Sequence, residues 1–178
     1  MFKFPDLKRW AGIQAARWRR ELIFLTGGLL TGLIAAGFAK LADVSSLGFR
    51  SIESAWPYAP LFLTPAGFAA SIYLTLRVFP GAQGSGIPQA IAAREIQDQP
   101  RRAALVSIRI AIGKIILTAL GLLCGASIGR EGPTVQGGAS LMYATGRMSP
   151  MRQPGLIVAG ASAGVAAAFN APLAGVVF

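Results

Sequence analysis

From Leu22 to Ala39 the sequence LIFLTGGLLTGLIAAGFA runs for eighteen residues without a charge. At 1.5 Å per residue such a helix is about 27 Å long, enough to span the core of a bilayer. A cleaved secretory signal would need an apolar stretch of only about 7–15 residues, and the basic lead in front of this block is unusually long. The block is therefore read as a retained spanning helix with a cytoplasmic N-terminus. Its Gly28-x-x-x-Gly32 spacing predicts a close approach by another helix. The composition agrees: 53% of the residues are hydrophobic and 13% charged, about half the charged share of a soluble domain.

The charge is lopsided, with 17 Lys and Arg against 7 Asp and Glu, a formal +10. Lys3, Lys8, Arg9, Arg17, Arg19 and Arg20 crowd the first twenty residues, with Asp6 as their acidic neighbour. Arg77, Arg94, Arg101, Arg102, Arg147 and Arg152 sit in short stretches between apolar blocks. A nucleic-acid binder would gather its cations on one face among aromatics. This pattern instead suits anchoring beside a membrane, and no nucleic-acid partner is expected. Residues 1–20 are read as a basic cytoplasmic segment and 21–178 as the membrane domain. A disordered basic tail is excluded by the apolar content. A disulfide-stapled module is excluded because Cys124 is alone. With no histidine in the chain, imidazole metal sites, Ser-His-Asp triads and histidine proton relays fall away. No cofactor, metal or catalytic centre is expected, and the chain is not read as an enzyme.

The remaining blocks are shorter and more broken. Ser45–Pro60 is predicted as a polar and aromatic connection, and Leu61–Phe79 as a second span carrying Pro65. Residues 80–100 hold the glycines and prolines that interrupt regular structure, with Pro88 in the first turn of a short helix reaching to about Gln97. Ala103–Ile128 is apolar apart from Arg109 and Lys114, read as structural cations paired with backbone carbonyls. Gly121, Gly125 and Gly129 suggest tight helix packing. A small-residue helix is expected over Gly132–Gly146, and two part-helices over Gly155–Phe178, broken at Asn170 and Pro172. Those two residues are read as shaping the break, Trp10, Trp18 and Trp56 as interfacial anchors, and Cys124 as a small buried residue. The fold class is thus an all-α polytopic membrane protein of tilted, broken helices.

Broken helices at membrane depth are tolerated only where protein buries them or where they line a wet cavity. Each half-helix start offers free N–H groups and the positive end of a dipole, and an anion is its natural ligand. Two strings fit. In Gly84-Ser85-Gly86-Ile87-Pro88 the glycines permit a sharp turn and Ser85 adds a hydroxyl, although an ordinary serine-capped loop reads the same string equally well. In Gly129-Arg130-Glu131-Gly132-Pro133, Glu131 is the only acid in the last eighty residues. A plain helix-start carboxylate, paired with Arg130, is the alternative there. A phosphate loop fits poorly, since the Gly-Lys-Ser/Thr ending is missing.

Taken in order, GSGIP (84–88), GREGPTVQ (129–136) and AAAFNAPLAGVVF (166–178) resemble three signature motifs of the CLC family of chloride channels and proton/chloride exchangers. The resemblance implies a fold of two inverted halves, of which this chain, truncated at its C-terminus, supplies the first. The remaining C-terminal half of the same protein and a second copy in a homodimer are then expected partners, along with chloride, protons and the lipid bilayer. It implies that Ser85 and Gly84 donate hydroxyl and backbone contacts to the inner and central chloride sites, that Gly86 and Ile87 also bind chloride, and that backbone N–H groups near Arg130, Glu131 and Gly132 line the outer site. Glu131 would be the gating glutamate, and Ser85 would favour chloride over nitrate. Pro88, Pro133, Asn170 and Pro172 would shape helix breaks. Gln89 stands where many relatives carry Glu, which removes one candidate partner for Arg130. Proton-coupled exchange in a bacterial inner membrane is expected ahead of passive voltage-gated conduction; a non-transporting membrane scaffold is the alternative of another class.

Overall fold

In the computed structural model the described residues are 7–147 and 153–178, with side chains from Gln14 onward except Ala16. Lys3, Asp6 and Arg152 lie outside them, as do the side chains of Lys8, Arg9 and Trp10. Eight helices and no strand occur among the described residues: α1 (Leu7–Ala55), α2 (Ala59–Arg77), α3 (Ile87–Glu95), α4 (Gln99–Ala103), α5 (Ile108–Leu123), α6 (Glu131–Gly146), α7 (Gln153–Phe169) and α8 (Pro172–Val177). Three segments, Arg17–Ala55, Ala59–Arg77 and Gln99–Leu123, are long and apolar enough to cross a membrane.

Glycine and proline set most of the boundaries. Gly81, Gly84 and Gly86 all have positive φ between α2 and α3. Gly125, at φ +86°, closes α5 just after Cys124. Asn170 adopts φ +49° at the α7–α8 break, and Pro172 opens α8. Asparagine is among the few residues that visit this left-handed region readily. Pro65 lies inside a continuous α2. Arg109 donates to the Val78 carbonyl at 2.8 Å, capping the end of α2 with a cation as expected.

Three expectations are corrected. The connection predicted over Ser45–Pro60 is instead largely the last turns of α1, a 49-residue helix. Its serines bond within the helix, Ser46 Oγ to the Ala42 carbonyl and Ser51 Oγ to the Leu47 carbonyl, both at 2.9 Å. Polar residues therefore do not end it; Pro57 does, because the residue before a proline is pushed out of helical geometry. Second, Gly28 and Gly32 face open space, and the close approach is made one residue earlier, where Gly27 meets Met142 of α6. Third, only Gly121 of the glycine triplet lies within α5; Gly125 and Gly129 belong to the connection that follows.

At the centre stands α6, every residue of which from Gly132 to Ser140 is buried. Val135, Ala139 and Tyr143 pack against Ile157, Ala161 and Val165 of α7 and Ala90 and Ala93 of α3. Against α7 the backbones themselves touch: a Cβ on Gly138 would overlap the Gly160 carbonyl, and one on Gly160 the Gly138 carbonyl. Such small-residue crossings are how helices associate where lipid removes the hydrophobic drive. Large apolar side chains stand exposed on α1 and α2, Leu25, Leu33, Leu61 and Leu76 among them. Trp18 and Trp56 are exposed, the latter stacked on Phe62, and Cys124 is buried.

Because the Gly138–Gly160 contact leaves no room for a methyl group, Gly138→Ala is expected to destabilise the fold by about 1–3 kcal/mol. Gly28→Ala, in open space, should change it by less than about 0.5 kcal/mol. Unfolding midpoints in detergent compare the two.

Candidate functional site

Two helix starts meet in space although 45 positions separate Glu131 from Gly86. The first is the turn leading into α3. Gly84 (φ +73°) and Gly86 (φ +102°) hold left-handed conformations that glycine adopts without a steric penalty, so the chain reverses sharply around Ser85. Gly86 caps α3, and Pro88 stands in its first turn, where its missing N–H removes no helical bond. Ser85 is exposed, and its hydroxyl has no partner among the described residues. The second start is α6, with Arg130 at its cap and Thr134 Oγ1 donating back to the Arg130 carbonyl at 2.8 Å.

Gly132 joins the two. A Cβ there would collide with the Ser85 carbonyl, and one on Gly86 would stand 2.8 Å from the Gly132 carbonyl. Only glycine at both positions lets the turns touch backbone to backbone. Deeper in α6, Gln136 is fully buried and donates to the Leu105 carbonyl at 2.8 Å. It fixes α6 against the break between α4 and α5.

A cavity of about 220 Å³ opens where the turns meet. Gly84, Ser85 and Ile87 line it from one side, Gly129, Glu131, Gly132 and Pro133 from the other, and Lys114 and Thr118 from α5. The Glu131 carboxylate folds back against Gly129. Glu131 is the one acid lining the cavity, and among the described residues its carboxylate makes neither hydrogen bond nor ion pair.

The cations are arranged otherwise. Lys114 is 3% exposed, and its ammonium donates to the Gln83 carbonyl at 3.2 Å and the Gly84 carbonyl at 2.6 Å. The amine thus ties the Ser85 turn to α5 and spends its hydrogen bonds on backbone, the role expected of a structural cation. Arg130 points away, to Asp43 Oδ1 of α1 at 2.5 Å. With glutamine at position 89, Arg130 finds its carboxylate partner on α1.

Of the residues singled out from the sequence, Gly84, Ser85, Ile87, Glu131, Gly132 and Pro133 share the cavity wall. Gly86 is buried behind it, Pro88 is exposed on α3, and Arg130 is turned toward α1. Asn170 and Pro172 stand apart at the α7–α8 break. Sequence reasoning did not pick out Asp43, Thr118 or Gln136. A signal existed for Asp43, an acid one helical turn after Lys40 at the end of the first long apolar block.

The family profile described as voltage gated chloride channel matches residues 66–178. The H(+)/Cl(-) exchange transporter ClcA of Yersinia pestis is 35% identical over 167 residues, covering 85% of this chain and 33% of its own. The proteins of the same name from Citrobacter koseri and Salmonella arizonae are each 36% identical, with the same coverage. The chain thus spans about a third of the length of the curated relatives it matches.

Removing the Lys114 ammonium strands the Gly84 carbonyl and takes one of the two donors from the Gln83 carbonyl. Lys114→Met is expected to lower stability by about 1–3 kcal/mol, measured as chemical unfolding in detergent.

Proposed function

The chain belongs to the voltage-gated chloride channel family, and from that premise we propose that it takes part in moving chloride across a bacterial membrane in exchange for protons. The observation that carries the reading is the shared cavity of Ser85 and Glu131, where two helix starts converge. Exchange is preferred to passive conduction because the relatives named above are exchange transporters.

Chloride crossing a bilayer sheds water, so each stop must be favourable enough to enter and weak enough to leave. The first turns of α3 and α6 offer unpaired N–H groups, and their dipoles put about half an elementary charge at each end. Ser85 adds one hydroxyl. Together these replace part of the hydration shell without a full positive charge on the ion. Lys114 raises the local potential while its hydrogens stay on Gln83 and Gly84. Glu131 is the gate. Ionised, its carboxylate occupies the donors that the anion needs; protonated, it withdraws, and the proton it carries couples the two fluxes. Membrane voltage acts on both charges, at about 2.3 kcal/mol per charge per 100 mV for a full crossing.

The complete pathway uses helices from the rest of the protein, since the relatives are three times as long as the matched region. The functional unit is a homodimer in the inner membrane with its N-terminus in the cytoplasm.

Two outcomes test this in the complete gene product reconstituted in liposomes. Glu131→Gln and Glu131→Ala should keep chloride flux and lose its dependence on protons; flux that stays fully pH-gated in both variants contradicts the gate. Ser85→Pro should weaken the preference for chloride over nitrate, and an unchanged preference removes Ser85 from the selectivity site.

A further inference from the structure

Gln89 is the residue of the turn whose chemistry the reading above leaves unused. It lies in the first turn of α3, and its carboxamide reaches back along the chain with both ends engaged. Oε1 accepts from the Gly86 N–H at 2.9 Å, while Nε2 donates to the Gln83 carbonyl at 2.8 Å. These bonds tie the chain together on either side of Gly84 and Ser85. The amide also packs directly over Gly84, where a Cβ would stand 2.8 Å from Nε2. Lys114 takes the same Gln83 carbonyl from the α5 side, so both lone pairs of that oxygen are used.

Only a group that donates and accepts at once makes both contacts. A carboxylate at position 89 would keep the Gly86 N–H but set negative oxygen against the Gln83 carbonyl; a carboxylic acid would regain the donor, and leucine offers neither. The charged groups around the turn are Lys114 from α5, Arg130 at the cap of α6 and Glu131 in its first turn; α7 carries none, α4 carries Arg101 and Arg102, the latter bonded to the Ala93 and Ile96 carbonyls at the far end of α3, and α3 itself carries Arg94 and Glu95 near that end. Another carboxylate among them would place negative charge beside the anion's route and compete for Lys114.

We propose that Gln89 is a positioning residue, an uncharged clasp that holds the Ser85 turn open to the cavity. Its neutrality leaves Glu131 as the sole acid lining that cavity. The inference rests on the anion-transport reading.

The test uses the complete gene product in liposomes, in a Glu131→Ala background that removes the gate's own response. With Gln89 in place, chloride flux should be flat between acid and neutral pH. Gln89→Glu should lower it about fivefold at neutral pH and restore it in acid, and that recovery in the same vesicles shows the variant to be folded. Gln89→Leu should weaken chloride-over-nitrate preference about fivefold at every pH. A Gln89→Glu variant as pH-flat as its parent overturns the clasp, and so does a Gln89→Leu variant with unchanged preference. Amide hydrogen exchange at Gly86, compared at one pH, reads the clasp apart from transport. Gln89→Leu should speed it by about fivefold, and equal rates overturn the proposal. Absence of chloride flux in the Glu131→Ala parent would overturn the transport reading instead, and the exchange rates would still decide the clasp.

Discussion

The Ser85 carbonyl rests against the Cα of Gly132, and the rest of the site depends on that contact. Any side chain at position 132 would push the turn before α3 away from the start of α6. With glycine there, both helix starts face one cavity, and their unpaired N–H groups converge instead of pointing at separate regions of solvent or lipid. The buried first half of α6, held by α7 on one side and by Gln136 on another, keeps this approach fixed. Packing and electrostatics are therefore one arrangement: the crossing that omits Cβ atoms is also the one that aligns the dipoles.

Around the cavity the fixed cations are occupied elsewhere. Lys114 is committed to two carbonyls and Arg130 to Asp43. A permeant anion would meet partial charges, with full charge felt only at second hand, and this suits a site that must release its ion. Glu131 differs from both cations in having no partner among the described residues. A side chain so placed can change position when its charge changes.

The helix breaks were legible because they rest on local chemistry. Glycine and proline mark 80–88 and 125–133, and Asn170 with Pro172 marks the last interruption. The strings that carry the family resemblance are the same breaks, so fold and candidate site were read from the same residues. What escaped depended on tertiary partners. Composition made Ser45–Ala55 look like a connection, yet its serines bond their own helix. The Gly28–Gly32 spacing announced a small-residue stripe, but which of two adjacent stripes meets α6 is fixed by the position of Met142. The partner of Arg130 lies 87 positions away in sequence. Gln89 looked like a lost carboxylate, and its gain, a group that donates and accepts together, appears only once Gly86 and Gln83 are seen on either side of it.

The central claim is that backbone dipoles and one hydroxyl, gathered by the Ser85–Gly132 contact, hold the transported anion. Bromide substitutes for chloride and scatters anomalously, so a crystal of the complete protein soaked in bromide locates the ion directly. The account predicts anomalous density within hydrogen-bond reach of the Ser85 hydroxyl or of the N–H groups at the start of α6. With Glu131→Gln, density should also fill the position that the carboxylate vacates. Bromide bound only at sites remote from both helix starts would contradict it.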